Sequence, residues 1–278
     1  MFIGVDVGAT NTKFGVFDEA YVLAKEDLIR TDQDYDSAIE KISKILTDIE
    51  HSLKIRSVGI GLPGVINSNA GEIVLSGNLP DWSGKKITED IANTTQCKVK
   101  VENDAVCAAL AEATVGFGVD KKKFIYITWG TGIGGTVIER IGSKIHVLPI
   151  EPGAQILEWN GITSQDGLKG SLGGYVEGRE ITNVYGKSPE QISDDDPIWD
   201  QISQKMAQGL INTLVHHPSE LIVLGGGIIN KQPHLLDKIR HYIDERLITF
   251  NTPELVIAKH GEKSGIYGAA MLPSLELI

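Results

Sequence analysis

The sequence predicts an α/β protein made of two related halves, and three observations carry that expectation. The segment DVGATNTK at 6–13 has a near-echo, TWGTGIGG at 128–135, about 120 residues further on, and each lies at the turn between two apolar runs. Each half then runs in the same order, strands first and alternating helices and strands after. With 278 residues, of which 41% are hydrophobic, the chain can bury a substantial core and fill two domains. The division is expected at Gly116, giving domains of 1–116 and 117–278, with the last helix free to pack back on the first.

Taken in order, Phe2 to Val5 and Phe14 to Phe17 read as two strands of a hairpin, with a third strand near 21–29. Ile39, Ile42, Ile45, Ile49 and Leu53 recur at roughly helical spacing and predict an amphipathic helix. Strands follow near 56–61 and 98–102, with a helix near 85–95 between them. A small-residue helix over about 104–115 stops at Gly116 and Gly118. The second half repeats the hairpin through Phe124 to Thr128 and Thr136 to Glu139, then passes an irregular glycine-rich stretch from about 149 to 187. Helical patterns at 198–216 and 231–247 flank a strand at 220–224, and a final helix near 264–272 precedes Pro273.

The two turns suggest anion binding. Aligning the copies pairs Gly8 with Gly130, Ala9 with Thr131 and Thr10 with Gly132; residues without bulk let backbone N–H groups approach phosphate oxygens. Thr10, Thr12 and Thr131 can add hydroxyl donors, and Lys13 a cation. Neither turn has the P-loop pattern, and both join strand to strand, which disfavours the P-loop and the dinucleotide fingerprint. Two turns holding one phosphate chain make the protein a kinase or ATPase candidate. Ordinary hairpins with glycine at positive φ are the alternative.

Composition narrows the classes further. A net charge of −11 argues against a general nucleic-acid surface and requires any phosphate site to be locally basic or backbone-lined. Two cysteines, Cys97 and Cys107, without metal-ligand spacing point to a reducing cytoplasm. No apolar span of 18 residues occurs, so no membrane partner is expected. The acidic run Asp194 to Asp196 before Pro197 reads as a solvated helix start rather than a metal site, and the histidines lack motif support.

Together DVGATNTK, GLPG at 61–64, GNLPDW at 77–82, ENDAVCAALAE at 102–112, WGTGIGG at 129–135 and LGGG at 224–227 resemble the ROK family of the actin, heat-shock chaperone and sugar kinase superfamily, over nearly the whole chain. The resemblance implies two ribonuclease-H-like domains with a central cleft, and magnesium-assisted transfer of the ATP γ-phosphoryl group to a sugar hydroxyl. It implies that Asp104, opening a helix directly after a strand, is the base; a helix N-terminus favours its charged form. The alternative is that Asn103 or Asp104 is only a helix cap. Asp6, ending the first strand, is where the resemblance places Mg2+, usually through water, with a turn-capping aspartate as the alternative. Gly8, Ala9, Thr10, Asn11, Thr12, Lys13, Thr131, Gly132 and Ile133 form the expected phosphate contacts, and Gly225, Gly226 and Gly227 the nucleoside contact.

For the sugar, Asn78 and Asn103 each offer a donor and an acceptor to vicinal hydroxyls. Glu151 corresponds to the glutamate of the family's Glu-x-Gly-His element, and Gly61 and Gly64 would shape the floor. The chain departs from the pattern where relatives bind zinc: Ala154 replaces the histidine, Ser171 a cysteine and Gly173 a glutamate. No zinc is therefore expected. The lost histidine and glutamate contact sugar in relatives, and Gln155, Glu158 and Trp159 are the candidates to compensate.

Three function classes follow. The first is an ATP-dependent kinase of a hexose or amino sugar, glucokinase-like or N-acetylhexosamine kinase-like. The alternative is a non-catalytic sugar-binding regulator of the same fold, although the chain enters a strand at once, with no helix-turn-helix ahead of it. A chaperone-like ATPase is the third. The resemblance also allows a homodimer.

Overall fold

A computed structural model describes residues 1–248 and 251–278. The chain divides into two units, Met1–Val115 with Lys263–Ile278, and Gly116–Glu262. Residues 263–278 thus sit with the first unit and not with 117–262.

The first unit contains β1 (Phe2–Val7), β2 (Asn11–Phe17), β3 (Leu23–Arg30), α1 (Tyr35–Ser52), β4 (Ser57–Leu62), β5 (Val65–Asn67), β6 (Glu72–Leu75), α2 (Ile87–Thr95), β7 (Lys98–Asn103) and α3 (Asp104–Val115). The second contains β8 (Lys123–Trp129), β9 (Ile133–Ile141), β10 (Lys144–Ile150), α4 (Leu172–Val176), α5 (Gly178–Tyr185), α6 (Ile198–His216), β11 (Leu221–Gly225), α7 (Gly227–Lys231), α8 (Leu235–Arg246) and β12 (Glu254–Ile257). The chain then returns to the first unit with α9 (Ser264–Met271).

The internal repeat is visible in the sheets. One has the order β3-β2-β1-β4-β7 and the other β10-β9-β8-β11-β12. In both, the first three strands are antiparallel and the last two join in parallel, the ribonuclease-H-like arrangement. The hairpin turns differ by one residue: Val7 pairs with Thr12 across residues 8–11, whereas Trp129 pairs with Ile133 across 130–132.

Each unit has its own core. In the first, Ile3, Val5 and Val7 of β1 pack with Val58, Ile60 and Leu62 of β4, and with Ala38, Ile42 and Leu46 of α1. Helix α1 starts at Asp34, whose carboxylate accepts the Ser37 N–H at 2.8 Å. Its buried stripe is Ala38, Ile42 and Leu46; Ile39, Ile45 and Ile49 flank it, and Leu53 lies beyond the helix end, exposed. In the second unit, Trp129, Val176, Trp199, Met206 and Leu224 lie in the largest cluster.

Helix α9 packs directly on strand backbone. A Cβ on Gly59 of β4 would stand 1.7 Å from the carbonyl oxygen of Ala269, and one on Gly268 of α9 would stand 1.6 Å from that of Cys107 in α3. Both glycines are fixed by close backbone approach. Gly59→Ala is expected to cost about 3 kcal/mol through overpacking, read as a lower midpoint in chemical unfolding followed by a probe in the first unit.

Candidate active site

In the first unit the parallel strands end level with one another. Asp6 of β1 pairs with Gly61 of β4, and Gly61 with Glu102 of β7, which sets these three residues in a row at the carboxyl ends of the strands. Asn103 and Asp104 follow one step beyond, at the junction of β7 and α3. A Cβ on Gly61 would lie 3.3 Å from Cys107 Sγ and 3.6 Å from Asp104 Cα. The Cys107 thiol is pushed well up, by burial first and then by the carboxylates of Glu102, Asp6 and Asp104. The structure therefore brings together Asp6 and Asp104, which are far apart in sequence.

Asn103 is more committed than a free ligand contact. Its Oδ1 accepts from the N–H groups of Ala105 at 2.9 Å and Val106 at 3.2 Å, capping α3, and its Nδ2 donates to the Gly64 carbonyl at 3.1 Å. These bonds use one of its two amide hydrogens. Gly64, at φ +112°, adopts a conformation that disfavours any side chain. Glu102 fastens the same corner, accepting from the Asn103 N–H at 2.8 Å and the Ser68 hydroxyl at 2.6 Å. Asn78 is exposed in the loop before the buried Trp82.

The first glycine turn is held by its carbonyls. Thr31 Oγ1 donates to Gly8 O at 2.7 Å, Gln33 Nε2 to Ala9 O at 3.3 Å, and the Thr31 N–H to Thr10 O at 2.9 Å. In a planar trans peptide the C=O and N–H point in opposite directions, so the N–H groups of Ala9 and Thr10 face away from the 31–33 segment. Thr12 departs from the expectation of a phosphate-facing hydroxyl. It is 1% exposed, and its Oγ1 lies 2.9 Å from Thr31 Oγ1, so it secures the turn from inside.

The second turn repeats the arrangement with different partners. Gly130 O accepts from the Gly178 N–H at 2.8 Å and Thr131 O from the Arg179 N–H at 3.4 Å, which satisfies the opening amides of α5 and turns the Thr131 and Gly132 N–H groups outward. Ile133 is different: its N–H donates to Glu177 Oε1 at 3.2 Å and is not available to a ligand. Gly226, at φ +95°, packs over the Trp129 backbone, and a Cβ on Gly130 would stand 3.7 Å from the Gly227 nitrogen. The 130–132 turn and the 225–227 turn are thus neighbours. A cavity of about 560 Å³ beside them is lined by Gly130, Thr131, Arg179, Thr182, Gly227 and Gln232, among others.

Glu177 was not singled out from the sequence. It is 7% exposed, and its carboxylate occupies space that two glycines leave open: a Cβ would lie 2.6 Å from its Oε1 on Gly173 and 3.0 Å on Gly153. Arg179 Nε donates to its Oε2 at 2.9 Å. Burial pushes the Glu177 carboxyl up and Arg179 opposes the shift. Glu151 is also raised, by desolvation first and the Glu177 carboxylate second, although its side chain keeps solvent access. The three compensating candidates, Gln155, Glu158 and Trp159, are engaged elsewhere or project outward. Glu158 bonds Lys205 and the Tyr175 hydroxyl, Gln155 Nε2 donates to Thr213 Oγ1 at 3.0 Å, and Trp159 is 84% exposed.

Asp6 has the chemistry of a cation ligand. Desolvation pushes its carboxyl up to about 6, with Lys13 pulling it back, and a Cβ on Gly265 would lie 2.5 Å from its Oδ2. A single carboxylate at a strand end fits Mg2+, which takes one or two such ligands and completes its shell with water and phosphate oxygens. Because the folded pKa lies above the unfolded one, the protonated form is favoured in the fold. Stability relative to a neutral side chain is therefore retained below about pH 4 and lost as pH rises through 6. Asp6→Asn is expected to melt above the wild type at pH 8 without ligands, with the gap closing below about pH 4 in thermal melts.

Comparison with known proteins bears on the family and the fold. A model of the ROK family matches residues 2–275. The N-acetyl-D-glucosamine kinase of Photobacterium profundum is 27% identical over 307 residues, covering 98% of this chain and 99% of that protein. Among solved structures, a ROK family glucokinase from Streptomyces griseus, in complex with glucose and AMPPNP, is similar with a TM-score of 0.81 at 25% identity over 98% of each chain. The ROK hexokinase from Thermus thermophilus gives a TM-score of 0.83 at 26% identity, covering 97% of this chain and 96% of that one. With its motifs, its sheet order and these full-length relatives, the chain belongs to the ROK family.

Proposed function

We propose that this chain transfers the γ-phosphoryl group of ATP to a hydroxyl of a hexose or amino sugar, with an N-acetylhexosamine as the preferred acceptor. Its class is that of a sugar kinase, the activity of its full-length relatives. The preference for an N-acetylated acceptor is supported by the N-acetyl-D-glucosamine kinases among them.

The observation that carries the chemistry is Asp104 at the carboxyl end of β7, just beyond Glu102, on a junction fixed by Asn103. Its carboxylate takes the proton of the sugar hydroxyl as that oxygen bonds to the γ-phosphorus. The bond from γ-phosphorus to the β–γ bridging oxygen breaks, and ADP leaves. In such a loose transition state, positioning and charge neutralisation carry most of the rate. The outward amides of Ala9 and Thr10, and those of Thr131 and Gly132, are suited to phosphoryl oxygens. Gly227, with Gly225 and Gly226 before it, borders the cavity that takes the nucleoside, while Asn78, the remaining Asn103 hydrogen, Gly64 and Glu151 serve the sugar. Mg2+, when bound with the nucleotide, would neutralise phosphate charge, and Asp6 would hold it through water. A zinc ion has no part in this reading.

ADP release measured with ATP and a panel of N-acetylglucosamine, N-acetylmannosamine and glucose should be sugar-dependent and largest with an N-acetylated sugar. Asp104→Ala should lower that rate at least about a hundredfold and leave ATP-analogue binding unchanged. Undiminished turnover in the variant would remove Asp104 from the role of base. ATP binding without turnover on any sugar would favour the non-catalytic regulator.

A further inference from the structure

Glu177 is a buried carboxylate with no part in the reaction described above; one of its oxygens binds the 130–133 turn and the other binds Arg179. The carboxylate reaches from the residue before α5 back to the start of β9, where Oε1 accepts the Ile133 N–H at 3.2 Å. It does not cap its own helix. The α5 amides that follow are spent on the same turn, Gly178 N–H on Gly130 O and Arg179 N–H on Thr131 O. Arg179 closes the arrangement by binding Glu177 Oε2 at 2.8 Å through its second nitrogen and also pairing with Asp166. Three consecutive residues, 177–179, thus bind the peptide groups on the inner side of turn 130–133, and the N–H groups left over are those of Thr131 and Gly132.

We infer that Glu177 is a positioning residue for the nucleotide: its carboxylate fixes the peptide orientation of the Gly130–Ile133 turn, so that the Thr131 and Gly132 amides are preset for an anionic phosphate chain. The inference rests on the reading that this turn takes ATP. A buried carboxylate costs free energy unless it is hydrogen-bonded and paired, and here both conditions are met by the turn and by Arg179. The glycines at 153 and 173 have the corresponding role of leaving it room. Position 173 lies one helical turn before 177, on the same face, so a carboxylate introduced there would reach the same space once Glu177 is removed.

The test separates nucleotide affinity from the other kinetic parameters. Binding of a non-hydrolysable ATP analogue is measured by calorimetry, with KM for ATP, KM for sugar and kcat measured alongside, for wild type, Glu177→Ala, Glu177→Gln and the double variant G173E/E177A. Glu177→Ala should weaken analogue binding and raise KM for ATP about tenfold, with KM for sugar and kcat within about twofold of wild type. Glu177→Gln, which keeps an acceptor for Ile133 but loses the charge facing Arg179, should fall between. The double variant should recover at least half of the lost affinity on a logarithmic scale. Unchanged analogue binding in Glu177→Ala, a change confined to KM for sugar, or no recovery in the double variant would each overturn the assignment. A wild-type protein that fails to bind the analogue would instead remove the nucleotide reading on which it rests.

Discussion

The two glycine turns are constrained from behind, through their carbonyl oxygens. In the first, the 31–33 segment binds Gly8, Ala9 and Thr10; in the second, the start of α5 binds Gly130 and Thr131. Planarity of the peptide bond does the rest, because once the oxygen is fixed inward the hydrogen must face outward. A protein of net charge −11 has an overall field that repels anions. Aligned backbone dipoles of such a turn create a local positive potential, and Arg179 and Lys231 line the cavity beside the second one.

The same economy governs the strand ends of the first unit. Three parallel strands end level, and the chain places small or hydrogen-bonding residues at each end: Asp6, Gly61 and Glu102. Glu102 and Asn103 turn their polar atoms to the corner they occupy, and Asp104 extends from it. Precision here comes from a strand end and a helix start, both regular elements, and not from a long loop. Asp6, by contrast, is held in a desolvated position that disfavours its charged form, a local cost of the fold.

Most of the fold was legible because its signals are local. The paired turns, the apolar stripe of α1, the small-residue helix α3 and the long α6 all follow from spacing and punctuation within one window. What escaped was non-local or interrupted. Strand β10 lies at a sheet edge and includes Pro149, and β12 spans only Glu254–Ile257. The helix expected over 231–247 is two, α7 and α8, parted around Pro233. At the candidate site, residue type and order were enough to propose Asp6, Asp104 and the glycine turns. Thr12 could not be sorted from Thr10 without knowing that Thr31 lies beside it. Glu177 sits in a glycine-rich stretch without periodicity, and its partner Ile133 is far away in sequence. The open space over Gly153 and Gly173 and the bond to Ile133 give it meaning only in the fold.

The return of α9 to the first unit orders events on the ribosome. Residues 116–262 form a unit with its own sheet and core, and all of them are translated before Ser264. The first unit has its strands made early but lacks the helix that covers Gly59 of β4 and lies against Cys107 of α3. During synthesis, the half made second can therefore reach its native packing while the half made first still has an uncovered sheet face. That face is the one a chaperone would have to shield until α9 has been made.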